Sequence, residues 1–164
     1  MALSEQPGTM LVVSSDLTRY TLFVHSFMQV QSPTGTIWSW LTGAEIASQL
    51  NEGIRLMQGD WVWLMADDHV FNPDILMRLL AHEVDVVSPL VTMRQPPFLP
   101  ILYHAPNSNG YPQVHWADLP DAGLIGDRAP LNDLYASTAG MLLSKRAIDA
   151  IGDPWFEVGQ LRGD

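Results

Sequence analysis

The run from Gly59 to Asp74, GDWVWLMADDHVFNPD, constrains the fold more than any other part of the chain. Asp60 to Met65 is apolar and aromatic, with the length and composition of a buried strand. It breaks off into two carboxylates and an imidazole, Asp67, Asp68 and His69. Asn72-Pro73-Asp74 then opens a helix, with Asn72 as N-cap, Pro73 at the first helical position and Asp74 in the first turn. In open α/β sheets ligands bind outside the carboxyl ends of the strands, so paired acids there can hold a divalent metal. The same triplet also suits a plain solvated turn.

The flanking segments repeat the strand–helix alternation. Met10 to Val13 reads as a first strand, followed by Ser14, Ser15 and Asp16 at its carboxyl end. That trio suits a helix cap, a cradle for a nucleotide, or both. A helix from about Leu17 to Val30 is expected next, with Leu17, Tyr20, Val24, Phe27 and Met28 on its buried face. Thr36 to Trp40 alternates like a short strand. Thr42 and Glu45 match a capping box for a helix running to about Gln58, whose buried stripe is Ile46, Leu50, Ile54 and Met57. Asn51 lies beside that stripe, as an exposed or locally bonded amide. After the acidic turn, a helix from Pro73 to about His82 buries Ile75, Leu76, Leu79 and Leu80, and Val84 to Val91 reads as the next buried strand. A β-α-β-α-β-α-β order argues for an α/β fold, a mostly parallel Rossmann-like sheet flanked by helices.

Beyond Val91 the pattern changes. Arg94-Gln95-Pro96-Pro97 is too stiff for a central strand, and Phe98 to Tyr103 reads as a strand leading away. His104 to Asp133 shows no periodicity and holds four prolines, three glycines and four aspartates, as a long functional loop would. Within it His115 and Trp116 could stack on a sugar or base, or pin the loop to the body. Tyr135 to Leu143 reads as a strand with Gly140 allowing close backbone approach, and Ser144 caps a short helix ended by Gly152. A single domain is expected over residues 1–164, with a nucleotide-binding half (9–91) and an acceptor-side half (92–164). The latter is expected to be incomplete, because the chain stops at Arg162-Gly163-Asp164 without a closing helix or strand. Apolar surface left open there could be covered by a second copy in a homo-oligomer.

Composition narrows the function classes. The net charge is −10, from 8 basic and 18 acidic residues, and the basic ones are scattered except for Lys145-Arg146. A nucleic-acid groove needs clustered Lys and Arg, so no nucleic-acid partner is expected. Cysteine is absent, which excludes disulfides and thiolate zinc sites. No apolar run reaches the roughly 18 residues of a membrane span, and the polar N-terminus carries no signal-peptide pattern. A cytoplasmic protein is the expectation.

Four stretches resemble, in order, the nucleotide-sugar glycosyltransferases of the GT-A fold, family two. GDWVWLMADDHVFNPDILMRLL is similar to the family's central strand, its acidic metal motif and the helix after it. TGAEIASQLNEGIRL resembles the preceding helix, with Leu50-Asn51 where the family often has Arg-Asn. VDVVSPLVTMRQPPFLPILY resembles the following strand and the Arg-any-Pro-Pro continuation of phage and bacterial members, and TAGMLLSKRAIDAIGDPWFE the later Gly-rich strand and helix. The resemblance implies a metal-dependent transfer of a sugar from a UDP- or GDP-linked donor to an unidentified acceptor, with Mn2+ or Mg2+ as cofactor. It places Ser14, Ser15, Asp16, Thr42, Asn51 and Asp67 on the donor side, with Asp67 at the ribose or base. Asp68 would be the metal ligand, and His69 a second ligand or a supporting group. Arg94 and Trp116 fall on the acceptor side, Arg94 as a clamp on phosphate or an acceptor carboxylate, or as an ion pair at the sheet edge. Asp164 stands near the position of the general base. The chain departs from the family where Ala66 takes the first position of the acidic triplet, where Gly163-Asp164 replaces Gly-Glu-Asp, and where a late metal-ligand His has no counterpart. Those departures keep open a non-catalytic or truncated nucleotide-sugar-binding module. A nucleotidyltransferase is disfavoured because SSDLTR is not a Gly-rich basic phosphate loop.

Overall fold

The computed structural model describes residues 2–14, 21–43, 45–105, 107, 110–119 and 134–157. Its centre is a pair of strands, β1 (Thr9–Ser14) and β3 (Trp61–Ala66), that run parallel side by side. Both are apolar at nearly every position because both faces of the sheet are covered. Met10, Val12, Trp61, Trp63 and Met65 enter one core, with Phe23 and Phe27 of α1 (Thr21–Phe27) and Leu76, Leu79 and Leu80 of α3 (Ile75–Leu80). Leu11, Val13, Val62 and Leu64 enter the opposite core, with Leu50 and Ile54 of α2 (Ile46–Arg55) and Ile148 of α4 (Lys145–Ile151). The period-two alternation along each strand thus produces three layers, helices–sheet–helices. The two buried tryptophans also satisfy their N–H groups. Trp61 Nε1 donates to the Gln6 carbonyl at 2.9 Å and Trp63 Nε1 to the Gly140 carbonyl at 2.8 Å.

The remaining strands are β2 (Ile37–Thr42), β4 (Val86–Val87), β5 (Leu102–His104), β6 (Leu134–Ala136) and β7 (Leu142–Ser144). The main sheet has the order β2-β1-β3-β7-β4, with β2, β1, β3 and β4 in one direction and β7 opposed to both its neighbours. β5 and β6 form a separate antiparallel pair. The expected mostly parallel α/β sheet is therefore present, with one antiparallel strand inserted. That insertion displaces the strand expected at Val84 to Val91. Only Val86–Val87 pairs, and it pairs with β7 rather than with β3.

Four further expectations are corrected. The expected strand from Tyr135 to Leu143 is two strands separated by a tight turn. Gly140 sits in that turn at φ +82°, where a Cβ would come within 2.7 Å of Pro89 Cγ. The buried face of α1 is set by Phe23 and Phe27, while Val24 and Met28 are exposed. Phe23 is preferred because it meets Phe27, Trp40 and Phe71 with ring centroids 5.7–6.2 Å apart. Leu17 and Tyr20 lie outside the described residues. The capping box also shifts: Thr42 stays in β2, paired with Ser14, and Glu45 caps α2 by accepting from Ala47 N and Ser48 N at 3.0 and 2.8 Å. Helix α3 starts later than expected, at Ile75, with Asp74 at the N-cap and Asn72 accepting from Ile75 N through its carbonyl at 3.1 Å. Ser144 caps α4 as expected, its Oγ accepting from Ala147 N at 3.1 Å, and Gly152 follows the helix.

Candidate functional site

The strand order dictates where a cleft can form. The connection from β1 leads to β2 on one side, and the next leads back past β1 to β3 on the other. Between the carboxyl ends of β1 and β3 the chain therefore diverges and leaves a crevice. A cleft of about 320 Å³ occupies that place. Val13 and Ser14 line it from β1, Leu64 to Ala66 from β3, and Asp67, Asp68 and His69 from the turn after β3. Ile46 and Leu50 close it from α2, and Ser137 to Ala139 from the turn before β7. Among the described residues, no Lys or Arg lines it.

The acidic turn is held from three sides. Ser14 Oγ donates to the Asp67 carboxylate, which fixes that side chain against the end of β1. Asp68 Oδ2 is 2.8 Å from Arg94 Nη2, and Asp68 Oδ1 is 2.7 Å from His69 Nδ1. The arginine side chain is 62% exposed, so its pair with Asp68 is weakened by water. The imidazole contact is different. Asp68 Oδ1 and His69 Nδ1 are both shielded from solvent and have only each other as polar neighbours, without a regular hydrogen bond between them. A carboxylate and an imidazole brought together in this way at a cleft leave room for a better partner than each other.

These atoms are the test of whether a divalent cation fits. A carboxylate oxygen and an imidazole nitrogen side by side are a donor set that suits Mn2+, and the oxygen suits Mg2+. Among the described residues no group of three or more His, Cys, Asp or Glu could hold a metal ion. The fit is therefore to a cation that takes only part of its coordination from the chain and the rest from phosphate and water, the usual habit of Mg2+.

The other candidate residues separate. Thr42 ends β2 on its exposed side and does not line the cleft. Asn51 is buried rather than exposed, and its amide is committed to the chain after α4. Its Nδ2 donates to the Phe156 carbonyl at 2.8 Å, and its Oδ1 accepts from Trp155 N and Phe156 N at 3.0 Å each. Trp116 pins its loop through Nε1, which donates to the Phe98 carbonyl at 3.1 Å, while the ring is 44% exposed. Ser15, Asp16 and Asp164 lie outside the described residues. The sequence reading passed over Gln49, a buried polar residue on the apolar stripe of α2, and Ser137 to Ala139. A polar residue three positions after Ile46 and one before Leu50 was the available signal for Gln49.

No helix among the described residues is long and apolar enough to cross a membrane. A family model described as Glycosyl transferase family 2 matches residues 42–150, well over half of the chain. The match takes in α2, β3, the acidic turn, β7 and nearly all of α4, and leaves β1 outside it. No curated protein and no solved structure matches the chain.

Proposed function

The chain belongs to glycosyl transferase family 2, and from that premise we propose that it moves a sugar from a UDP- or GDP-linked donor with the help of a divalent cation, Mn2+ or Mg2+. The observation that carries the reading is the acidic turn lining the switch-point cleft, where Asp68 Oδ1 and His69 Nδ1, both shielded from solvent, lie 2.7 Å apart. Asp68 and His69 would hold the cation. When bound, the cation supplies Lewis-acid stabilisation of the diphosphate leaving group.

Charge supports the same reading. A chain of net charge −10 repels a nucleotide diphosphate, and a bound cation would offset this. Arg94 stands behind Asp68 and partly neutralises it. Asp67, fixed by Ser14, faces the cleft where a ribose hydroxyl or base edge would donate to it. The donor is assigned to the half from 9 to 91 and the acceptor to the half from 92 to 164, with the exposed ring of Trp116 on the acceptor side. Asp164 is the carboxylate proposed to take the proton of the acceptor hydroxyl. A cytoplasmic location and pairing with a second copy belong to the same proposal.

Calorimetric titration with UDP and with GDP, each with and without Mn2+, tests the reading. Binding is expected to need Mn2+ and to be lost in Asp68→Ala. Equal affinity with and without the cation would reject metal dependence.

A further inference from the structure

We propose that Gln49 is the positioning residue for the nucleotide end of the cleft, an inference that rests on the donor reading above. Its side chain is 6% exposed and sits on α2 between the cleft residues Ile46 and Leu50. It does not line the cleft itself. Its Oε1 accepts from the Ser14 N–H at 3.2 Å, and its Nε2 donates to the Gly43 carbonyl at 3.0 Å. The Gly43 N–H in turn donates to the Ser14 carbonyl at 3.1 Å. One primary amide therefore ties a helix to the carboxyl ends of two neighbouring strands, β1 and β2.

The link continues to the acidic turn. Ser14 Oγ donates to the Asp67 carboxylate, so the backbone that Gln49 fixes is the backbone that aims the hydroxyl at Asp67. Gln49, Ser14 and Asp67 form a connected polar series from α2 to the end of β3, its first link buried. Such a network, once satisfied, holds a single arrangement. The task demands an amide. It needs an acceptor and a donor on one planar group, one for an N–H and one for a C=O. Glutamate would keep the acceptor but set a carboxylate against the Gly43 carbonyl, and methionine would keep only the length. Preorganising Asp67 in this way removes an ordering penalty from nucleotide binding.

The test compares Gln49→Met and Gln49→Glu with a control elsewhere in the same strand, Thr9→Val. Thr9 is likewise buried and tied by two hydrogen bonds, to Gln58 O and from Gln58 N at 2.9 and 2.8 Å, but at the opposite end of β1. All proteins are titrated with UDP and GDP in Mn2+ below their melting temperatures. Both Gln49 variants are expected to weaken nucleotide binding by about tenfold or more, while Thr9→Val lowers the melting temperature and leaves affinity within about twofold. Folded Gln49 variants with wild-type affinity would overturn this inference alone. Absence of binding in the wild type would overturn the donor reading with it. Should neither Gln49 variant fold, hydrogen exchange on the wild type decides. Added nucleotide is expected to slow exchange at Ser14 and Gly43 as well as at the acidic turn, and slowing at the turn alone would overturn the proposal.

Discussion

Replacing Asn51 by leucine separates a structural role from a role in donor recognition. The substitution keeps the approximate volume and removes all three hydrogen bonds that the amide makes to Trp155 N, Phe156 N and Phe156 O. Each such bond contributes about 1 kcal/mol net, and its loss leaves a partly buried backbone group without a partner. The sum is about 3 kcal/mol. The neighbouring Arg55–Asp153 pair cannot compensate, because its side chains are 44% and 47% exposed and water weakens an exposed pair. For a chain of this length about 1 kcal/mol shifts the melting temperature by roughly 2–4 °C, so Asn51→Leu is expected to melt roughly 6–12 °C lower. Circular dichroism gives the melting temperature, and hydrogen exchange at Trp155 and Phe156 reports the local release. A shift of less than about 2 °C together with lost nucleotide affinity would refute the reasoning and return Asn51 to the donor site.

Gly53→Ala is expected to destabilise despite the better helix propensity of alanine, worth about 1 kcal/mol. A Cβ at Gly53 would come within 2.2 Å of Leu11 Cδ2, on a side chain with no exposed surface, and overpacking of this kind costs about 1–3 kcal/mol. Denaturant unfolding checks the net sign, and a variant more stable than the wild type would contradict the packing described. Acid sensitivity follows from two exposed carboxylates. Hydrogen bonds from the Arg146 guanidinium, and then from Ser144, hold Asp85 below the usual carboxylate range, and the Arg55 guanidinium does the same for Asp153. A carboxylate whose folded pKa is depressed stabilises the fold above its unfolded pKa, near 3.8, and that contribution is lost as the pH falls through the folded value. Stability is therefore expected to drop below about pH 4, with a shallower slope in the double variant Asp85→Asn, Asp153→Asn. Identical slopes in variant and wild type would contradict the assignment.

The parts of the fold legible in sequence were those set by local chemistry. A strand apolar on both faces, as at Trp61–Ala66, has no other stable place than the middle of a covered sheet. Ser144 before a short apolar helix and Gly152 after it are chain-local signals, and both hold. What was not legible depended on distant partners. Nothing within residues 134–144 says that Leu142–Ser144 inserts against Trp61–Trp63, with Gly140 turned to receive the Trp63 N–H. The phase of α1 turned on a choice between Phe23 and Val24, which only the aromatic neighbours of Phe23 decide. Thr42 and Glu45 are both competent caps, and the register of β2 against β1 keeps Thr42 in the strand. In the site, the acidic turn was visible as a break in an apolar run. The bond from Ser14 to Asp67 and the bond from the Ser14 N–H to Gln49 were not, because each joins residues 35 or more positions apart.

The central claim is that the turn after β3 holds a cation together with a nucleotide diphosphate. Mn2+ is paramagnetic, and broadening of the imidazole resonances of His69 in a nuclear magnetic resonance titration reads that claim directly. Broadening at His69 is expected when Mn2+ and UDP or GDP are present together, strongly reduced with Mn2+ alone and abolished in Asp68→Ala. Sharp His69 resonances in the presence of both, with broadening centred on other histidines or nowhere, would contradict it.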